Sequence, residues 1–392
     1  MPKRIAILGS TGSIGRNTLE VIEHLAPDFR AIALSGHRQV NELLEQVRKH
    51  RPKAVAITDR TVDIWPVEEI RQNVEMLYVG PQGLVEMVGR DDIDMVVAAI
   101  VGAAGLPAVF AAVRAGKPVA LANKESLVIA GSLLIPEARK RNVPILPVDS
   151  EHSAVFQAIR CGRREEIRKV ILTASGGPFR TASREQMEKA TLKDALNHPT
   201  WRMGSKVTID SATMFNKGLE LIEACWLFDL SPEQVEVVVH PESMVHSMVE
   251  FVDGSTVAQL SPPDMRTPIQ YAITYPDRLS GVGRTMDWRQ RVSLNFEPPD
   301  LERFPALRLA YEVARTGGTS GAVMNAANEV AVEAFTTGKI TFGEISRTVE
   351  LTIHRHRVQS SPSLDDLLQA DRWARAEAAQ LVEGGPTERT SA

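Results

Sequence analysis

The sequence predicts an α/β protein. A mostly parallel sheet flanked by helices comes first, then an α+β region, then a helical bundle. Three observations carry this reading. Over residues 1–150, short β-rich runs alternate with amphipathic segments at helical spacing. That alternation is how parallel strands joined by crossover helices look in sequence. Over residues 151–290 the pattern is mixed, and several β-rich runs are close enough to pair antiparallel. From about Pro298 onward the patterns are helical only, which predicts a bundle over 300–385. A chain of 392 residues exceeds one ordinary core, so several domains are expected.

The elements follow in order. "RIAILG", "RAIALSG", "KAVAIT", "DMVVAAIVG", "KPVALAN" and "VPILPVD" read as strands. "VNELLEQVRKH" and "GLPAVFAAVRAG" read as helices between them. "VILTASGGPF" is a strand running into a glycine turn, and "NHPTWRMG" is a loop. "KVTID" reads as a strand, and "SATMFNKGLELIEACWLF" as one helix with Ser211 as its N-cap. "VEVVVHPESMVHSMVEFVDGSTVAQL" reads as two or three antiparallel strands, the last pair turning at Asp253-Gly254. "SPPDMRTP" is a proline-rich break. "PALRLAYEVARTG", "AVMNAANEVAVEAFTTG", "TFGEISRTVELTIHRH" and "SLDDLLQADRWARAEAAQLVE" are four helices, and residues 386–392 form a flexible tail.

Composition excludes several classes. A net charge of −4 gives no hint of a nucleic-acid or membrane surface. The two cysteines, Cys161 and Cys225, stand far apart, which predicts neither a disulfide framework nor a thiolate metal site. The first residues lack a signal-peptide pattern. Met95–Val113 carries no charge, but Gly102, Gly105 and Pro107 interrupt it, so it reads as strand, loop and helix rather than a membrane span. A cytoplasmic location is expected.

The first strand runs into "GSTGSIG", Gly9–Gly15, and a helix follows. A glycine loop between the first strand and first helix of such a region predicts a Rossmann-like dinucleotide site. Thr11 and Ser13 add hydroxyl donors. NAD enzymes tend to place an acid at the end of the second strand, to bond the ribose 2′-hydroxyl. Here that strand ends in His37-Arg38-Gln39, and no acid follows until Glu42. A basic pair suits a 2′-phosphate, so NADP is expected over NAD.

A second constellation lies downstream. Asp149 and Glu151 are two apart at the end of "LPVDSEH". On an extended backbone they point to one side and form half of a hard-cation site. An exposed acidic turn is the competing reading. In the helix expected from Ser211, Asn216, Lys217 and Glu220 share one face. Lys217 and Glu220 alone would be an ordinary surface ion pair. With the helix start at Ser211, Asn216 and Lys217 suit a substrate phosphate and leave Glu220 for a metal. Ser175 sits beside Gly176-Gly177, where backbone approaches a ligand or simply turns.

With these segments in view, the chain resembles the 1-deoxy-D-xylulose 5-phosphate reductoisomerase family. The matching words are "GSTGSIG", "AAIVGAAGL", "LANKESLV", "PVDSEHSAVFQ", "SGGPFR", "HPTWRMG", "DSATMFNKGLE", "HPESMVHSMV", "PPDMRTPI" and "NAANE", in family order. The resemblance implies an oxidoreductase of the non-mevalonate route to isoprenoid precursors. Its reaction turns 1-deoxy-D-xylulose 5-phosphate into 2-C-methyl-D-erythritol 4-phosphate. It implies NADPH, a divalent cation (Mn²⁺, Mg²⁺ or Co²⁺) and a homodimer. It divides the chain into an NADPH-binding domain over 1–150, a catalytic and dimerisation domain over 151–290 and the helical bundle. It makes Asp149, Glu151 and Glu220 the metal ligands, and Lys124, Ser150 and Glu151 the contacts to substrate oxygens. Ser175, His198, Ser211, Asn216 and Lys217 would surround the phosphate, with Trp201 and Met203 in a lid near 197–206. Thr11, Gly12, Ser13, Ile14, Gly36, His37, Arg38, Gln39, Asn123, Glu125 and Gly204 would hold NADPH. One departure stands out: His37 occupies a position where the family commonly has glycine. A semialdehyde dehydrogenase would need a reactive cysteine, and neither Cys161 nor Cys225 has a suitable setting.

Overall fold

The computed structural model describes residues 1–384, which form two compact units. The tail at 386–392 lies outside the described residues. The first unit comprises Met1–Ser126, Leu134–Ser153 and Asp264–Thr285. The second comprises Leu127–Leu133, Ala154–Pro263 and the chain from Met286.

The first unit is built on seven strands: β1 (Lys3–Leu8), β2 (Phe29–Gly36), β3 (Ala54–Ile57), β4 (Met76–Val79), β5 (Met95–Ala98), β6 (Val119–Leu121) and β7 (Ile145–Pro147). Their order is β4-β3-β2-β1-β5-β6-β7, and every neighbouring pair is parallel. A parallel sheet covered on both faces needs strands apolar throughout. Ile5–Leu8, Ala54–Ile57 and Met95–Ala98 are buried along their whole length for this reason. Strand β4 was not anticipated. It lies at the sheet edge and is half exposed, and its apolar run "MLYV" is only four residues long, too short for a period to mark it as a strand. The strand order reverses beside β1, and open α/β sheets bind ligands at the carboxyl ends of strands at such a point. Residues 264–285 return to this unit: the helix Arg266–Thr274 packs on the helix Ser13–His24, and Lys3 Nζ donates to the Ile273 carbonyl at 2.7 Å.

The second unit has a four-stranded mixed sheet. Strand β8 (Ile167–Ala174) pairs parallel with β9 (Val235–Val239) and antiparallel with β10 (Val245–Phe251). Strand β11 (Thr256–Leu260) completes the order β11-β10-β8-β9, and the β10–β11 turn holds Gly254 at φ +87°. The four expected C-terminal helices form over Pro305–Thr316, Ser320–Thr336, Phe342–Arg355 and Leu364–Glu383. Capping boxes at Thr341 and Ser363 start the last two. These helices share one hydrophobic core with the mixed sheet: Leu172 and Val249 are continuous with Phe215, Leu219, Leu309 and Met324.

Two local expectations are corrected. "KVTID" is not a strand but part of the helix Ser205–Thr213. Its β-branched residues misled the reading, because burial of Thr208, Ile209, Ala212 and Thr213 follows helical spacing instead. The expected single helix is two. Met214 at φ +65° breaks the chain between Ser205–Thr213 and Phe215–Phe228. Among the described residues, no helix is long and apolar enough to cross a membrane.

Candidate active site

The first unit gathers its candidate residues at the carboxyl ends of β1, β2, β6 and β7. In the glycine loop, Gly9 holds φ +82°, and a Cβ there would lie 2.9 Å from the Ala99 carbonyl oxygen. A Cβ on Gly15 would lie 2.3 Å from the Gly9 oxygen. Only glycine permits this turn and this closeness of helix to strand. Gly12 is the N-cap of the helix that begins at Ser13, so Ser13, Ile14 and Gly15 form its first turn, where backbone N–H groups have no partner within the helix. The loop is braced from beneath: Ser10 Oγ donates to Gln46 Oε1 at 2.6 Å, and Gln46 Nε2 donates back to the Ser10 carbonyl.

At the end of β2, Gly36 packs against Leu43 and is followed by His37, Arg38 and Gln39. The acid that is missing from this strand comes from the next one. Asp59, after β3, accepts from Arg38 Nε at 2.9 Å, and His37 Nε2 stands 3.8 Å away. Thr61 bonds the same carboxylate through its hydroxyl and its backbone N–H, and these bonds, with Arg38, hold Asp59 well below the usual carboxylate range. Sequence reading missed Asp59 because it lies twenty-one residues from Arg38 and only strand pairing brings them together.

Beyond β6, Asn123 is buried, and its side-chain amide donates to the carbonyls of Ile100 and Gly102 at 2.7 and 2.9 Å and to Glu125. Asn123 therefore ties the start of the Lys124–Lys140 helix to the loop after β5. Lys124 forms an ion pair with Asp149. Asp149 and Glu151 do converge, but not by extended geometry. Asp149 precedes the helix Ser150–Ala158 and accepts Ser153 N–H at its carbonyl, while Glu151 lies in the first turn. A helix start brings their carboxylate oxygens within 4.8 Å, where a strand alternation was expected to. Ser150 Oγ donates to Glu151. His152, buried and unmarked in the sequence reading, also presents a ring nitrogen within 4.8 Å of Asp149; its i,i+3 spacing in "DSEH" was the available signal.

In the second unit, Ser175 directly follows β8. Its Oγ stands 2.9 Å from His198 Nε2 and accepts Gly177 N–H at 3.2 Å. His198 Nδ1 accepts two backbone N–H groups, from Thr200 at 3.2 Å and Trp201 at 3.0 Å, so its proton resides on Nε2. Burial holds this imidazole down to about 4, so it is neutral at ordinary pH. His198 is thus the fastening point of the 197–204 loop. Trp201 tilts over His246 at a ring separation of 6.1 Å, and Gly204 is the N-cap of the next helix. Ser211 is not an N-cap; it lies in the last turn of Ser205–Thr213. The next helix start is one break later, at Phe215, with Asn216 and Lys217 in its first turn. There Asn216 Nδ2 and Lys217 Nζ both donate to the fully buried Glu220 carboxylate. Glu223, one turn further, is equally buried and was not singled out.

The donor chemistry fits a hard divalent cation: the acids offer carboxylate oxygens without thiolate, with Lys124 paired to Asp149 and Lys217 to Glu220. The glycine loop and basic pair fit a phosphorylated dinucleotide.

Known proteins resemble this chain along nearly its whole length. The family model described as 1-deoxy-D-xylulose 5-phosphate reductoisomerase matches residues 5–131. Two models of its C-terminal domains match residues 145–228 and 260–377. The 1-deoxy-D-xylulose 5-phosphate reductoisomerase of Trichlorobacter lovleyi is 50% identical over 380 residues, 97% of each chain. That of Pelodictyon phaeoclathratiforme is 48% identical, covering 97% of this chain and all of the other. A crystal structure of DOX-P reductoisomerase in complex with NADPH, fosmidomycin and magnesium is 42% identical, with a TM-score of 0.91 over 97% of this chain and 98% of that one. The Zymomonas mobilis enzyme in complex with NADPH is 45% identical, with a TM-score of 0.90 over 98% of this chain and all of that one. On likeness of this extent, over nearly the whole length and in both units, the chain belongs to the 1-deoxy-D-xylulose 5-phosphate reductoisomerase family.

Proposed function

We propose that this chain performs its family's reaction through the residues described above. The reaction is the NADPH- and divalent-metal-dependent isomerisation and reduction of 1-deoxy-D-xylulose 5-phosphate to 2-C-methyl-D-erythritol 4-phosphate. The observation that carries the assignment of roles is the pairing of Asp149 and Glu151 at the carboxyl end of β7, in the same sheet as the glycine loop. When bound, the cation polarises the substrate's carbonyl and hydroxyl oxygens, and NADPH supplies the hydride.

Asp149, Glu151 and Glu220 are the metal ligands in this reading. Lys124 and Ser150 orient the substrate oxygens. Ser175, His198, Ser211, Asn216 and Lys217 bind the phosphate, with His198 donating through its Nε2 proton. Anchoring a remote phosphate positions the reacting carbons, worth several kcal/mol of barrier. The loop 197–206, with Trp201 and Met203, closes over substrate and excludes water. Thr11, Gly12, Ser13 and Ile14 take the pyrophosphate; His37 and Arg38, with Gly36 and Gln39, take the adenosine end; Asn123, Glu125 and Gly204 border the rest of the cofactor. The domain roles follow: residues 1–150 bind NADPH, 151–290 carry catalysis and dimer contacts, and 300–385 support them. The chain works as a cytoplasmic homodimer. NADPH consumption with the sugar phosphate, with and without Mn²⁺, tests the reading; consumption indifferent to the metal overturns it.

A further inference from the structure

Asp59 is not used by any step above. Arg38 is long and its side chain is 79% exposed, yet it is held. Asp59 accepts its Nε–H at 2.9 Å, which leaves the four Nη hydrogens without another hydrogen bond among the described residues. The Asp59 carboxylate, itself 9% exposed, is fixed by Thr61 N–H at 2.8 Å and Thr61 Oγ–H at 2.7 Å. The neighbouring hydroxyl, Thr58 Oγ1, lies 2.9 Å from His37 Nδ1. The segment Thr58–Thr61 after β3 therefore holds both basic residues at the end of β2. Two further charged side chains of these segments point elsewhere. Arg60 lies against Gly80, and Glu42 pairs with Arg16 at 2.9 Å.

We propose that Asp59 is a positioning residue that sets the preference for NADPH over NADH, by holding Arg38 and His37 in the arrangement that receives the ribose 2′-phosphate. The proposal rests on the reading that Arg38 serves that phosphate. A flexible surface arginine gives up rotamer freedom when it engages an anion; one already tethered through Nε gives up less. A carboxylate here would repel the phosphate if it were bare. The Arg38 guanidinium offsets its charge and the two Thr61 bonds fix its oxygens, so its effect on Arg38 is orientation. The cofactor without the 2′-phosphate gains nothing from the tether.

The test is equilibrium binding of NADPH and of NADH to the full chain, read by nicotinamide fluorescence. The variants are Asp59→Ala, Asp59→Asn, Thr61→Val and Arg38→Ala, each checked for an unchanged melting profile. Asp59→Ala is expected to weaken NADPH about tenfold and to leave NADH within about twofold. Asp59→Asn, which keeps an oxygen acceptor for Nε–H, recovers part of the loss, and Thr61→Val loses a smaller part. The double variant Asp59→Ala/Arg38→Ala binds NADPH no worse than Arg38→Ala alone. Tighter or unchanged NADPH binding in Asp59→Ala, with Arg38→Ala still weakened, overturns the proposal and spares the reading of Arg38. Equal loss of both cofactors in Asp59→Ala also overturns it, as a merely structural role. An unchanged NADPH-to-NADH ratio in Arg38→Ala overturns the reading beneath it.

Discussion

Gly177 lies directly on Ser211: a Cβ at Gly177 would stand 2.7 Å from the Ser211 carbonyl oxygen and 3.2 Å from Ala212 Cα. The contact fastens the turn after β8 to the helix Ser205–Thr213, so two groups proposed for the phosphate are fixed by one glycine. Gly177 also holds φ +65°, in the left-handed region. Gly177→Ala meets both penalties and should lower stability by about 1–3 kcal/mol. It should also raise KM for the sugar phosphate more than it lowers kcat, because helix and turn must separate. Steady-state kinetics beside urea unfolding checks this; unchanged KM with lowered stability would confine the contact to a structural role.

His198 predicts a pH dependence of stability. Its folded value of about 4 is depressed below the unfolded 6.5 by burial. Between these values the unfolded chain binds a proton and the folded chain does not, so stability falls as pH drops through that window. The contribution is fully present above 6.5 and levels off below about 4. After discounting for the ring's partial exposure it is on the order of 1 kcal/mol. His198→Gln should flatten that part of the curve in denaturant titrations at pH 7, 5.5 and 4.5. An unaltered slope in the variant would assign the pH effect to other groups.

The elements legible in the sequence were those with one dominant signal. The buried parallel strands and the four C-terminal helices announce themselves by continuous or 3.6-period apolar patterns. What escaped was set by tertiary context. Edge strand β4 has too little burial to show a period. The break at Met214 depends on a left-handed residue that no local rule assigns to methionine. Asp149 and Glu151 were correctly paired, but through a strand alternation, when a helix start does it. Asp59 was invisible, because a strand-to-strand neighbour has no fixed sequence spacing.

The metal role proposed for Glu220 can be tested apart from cofactor binding. Its carboxylate is fully buried and held by Asn216 and Lys217, so it is already oriented. Glu220→Gln keeps the shape and removes the charge. It should abolish turnover, by a hundredfold or more on the scale of lost metal-ion catalysis, while NADPH affinity stays nearly intact. Mn²⁺ titration calorimetry together with NADPH fluorescence reads the two separately. Strong residual activity in saturating Mn²⁺ would remove Glu220 from the ligand set.

The "NAANE" segment acquires a structural purpose in the second unit. Asn328 Nδ2 donates to the buried Asp210 carboxylate at 2.8 Å, and Lys206 Nζ reaches the same carboxylate at 2.7 Å. Asp210 precedes Ser211 in the helix that follows the 197–204 loop, so Asn328 anchors that helix to Ser320–Thr336. Asn328→Leu removes a donor from a buried charge and should cost about 1–3 kcal/mol, since desolvation of the carboxylate is no longer offset. Asp210→Leu/Asn328→Leu removes the charge as well, so its loss should be smaller than the sum of the two single losses by about 1 kcal/mol. Urea unfolding of the four proteins gives the coupling directly. Strict additivity would mean that the two side chains, though 2.8 Å apart, do not support each other, and the anchor would then lie in the surrounding apolar contacts.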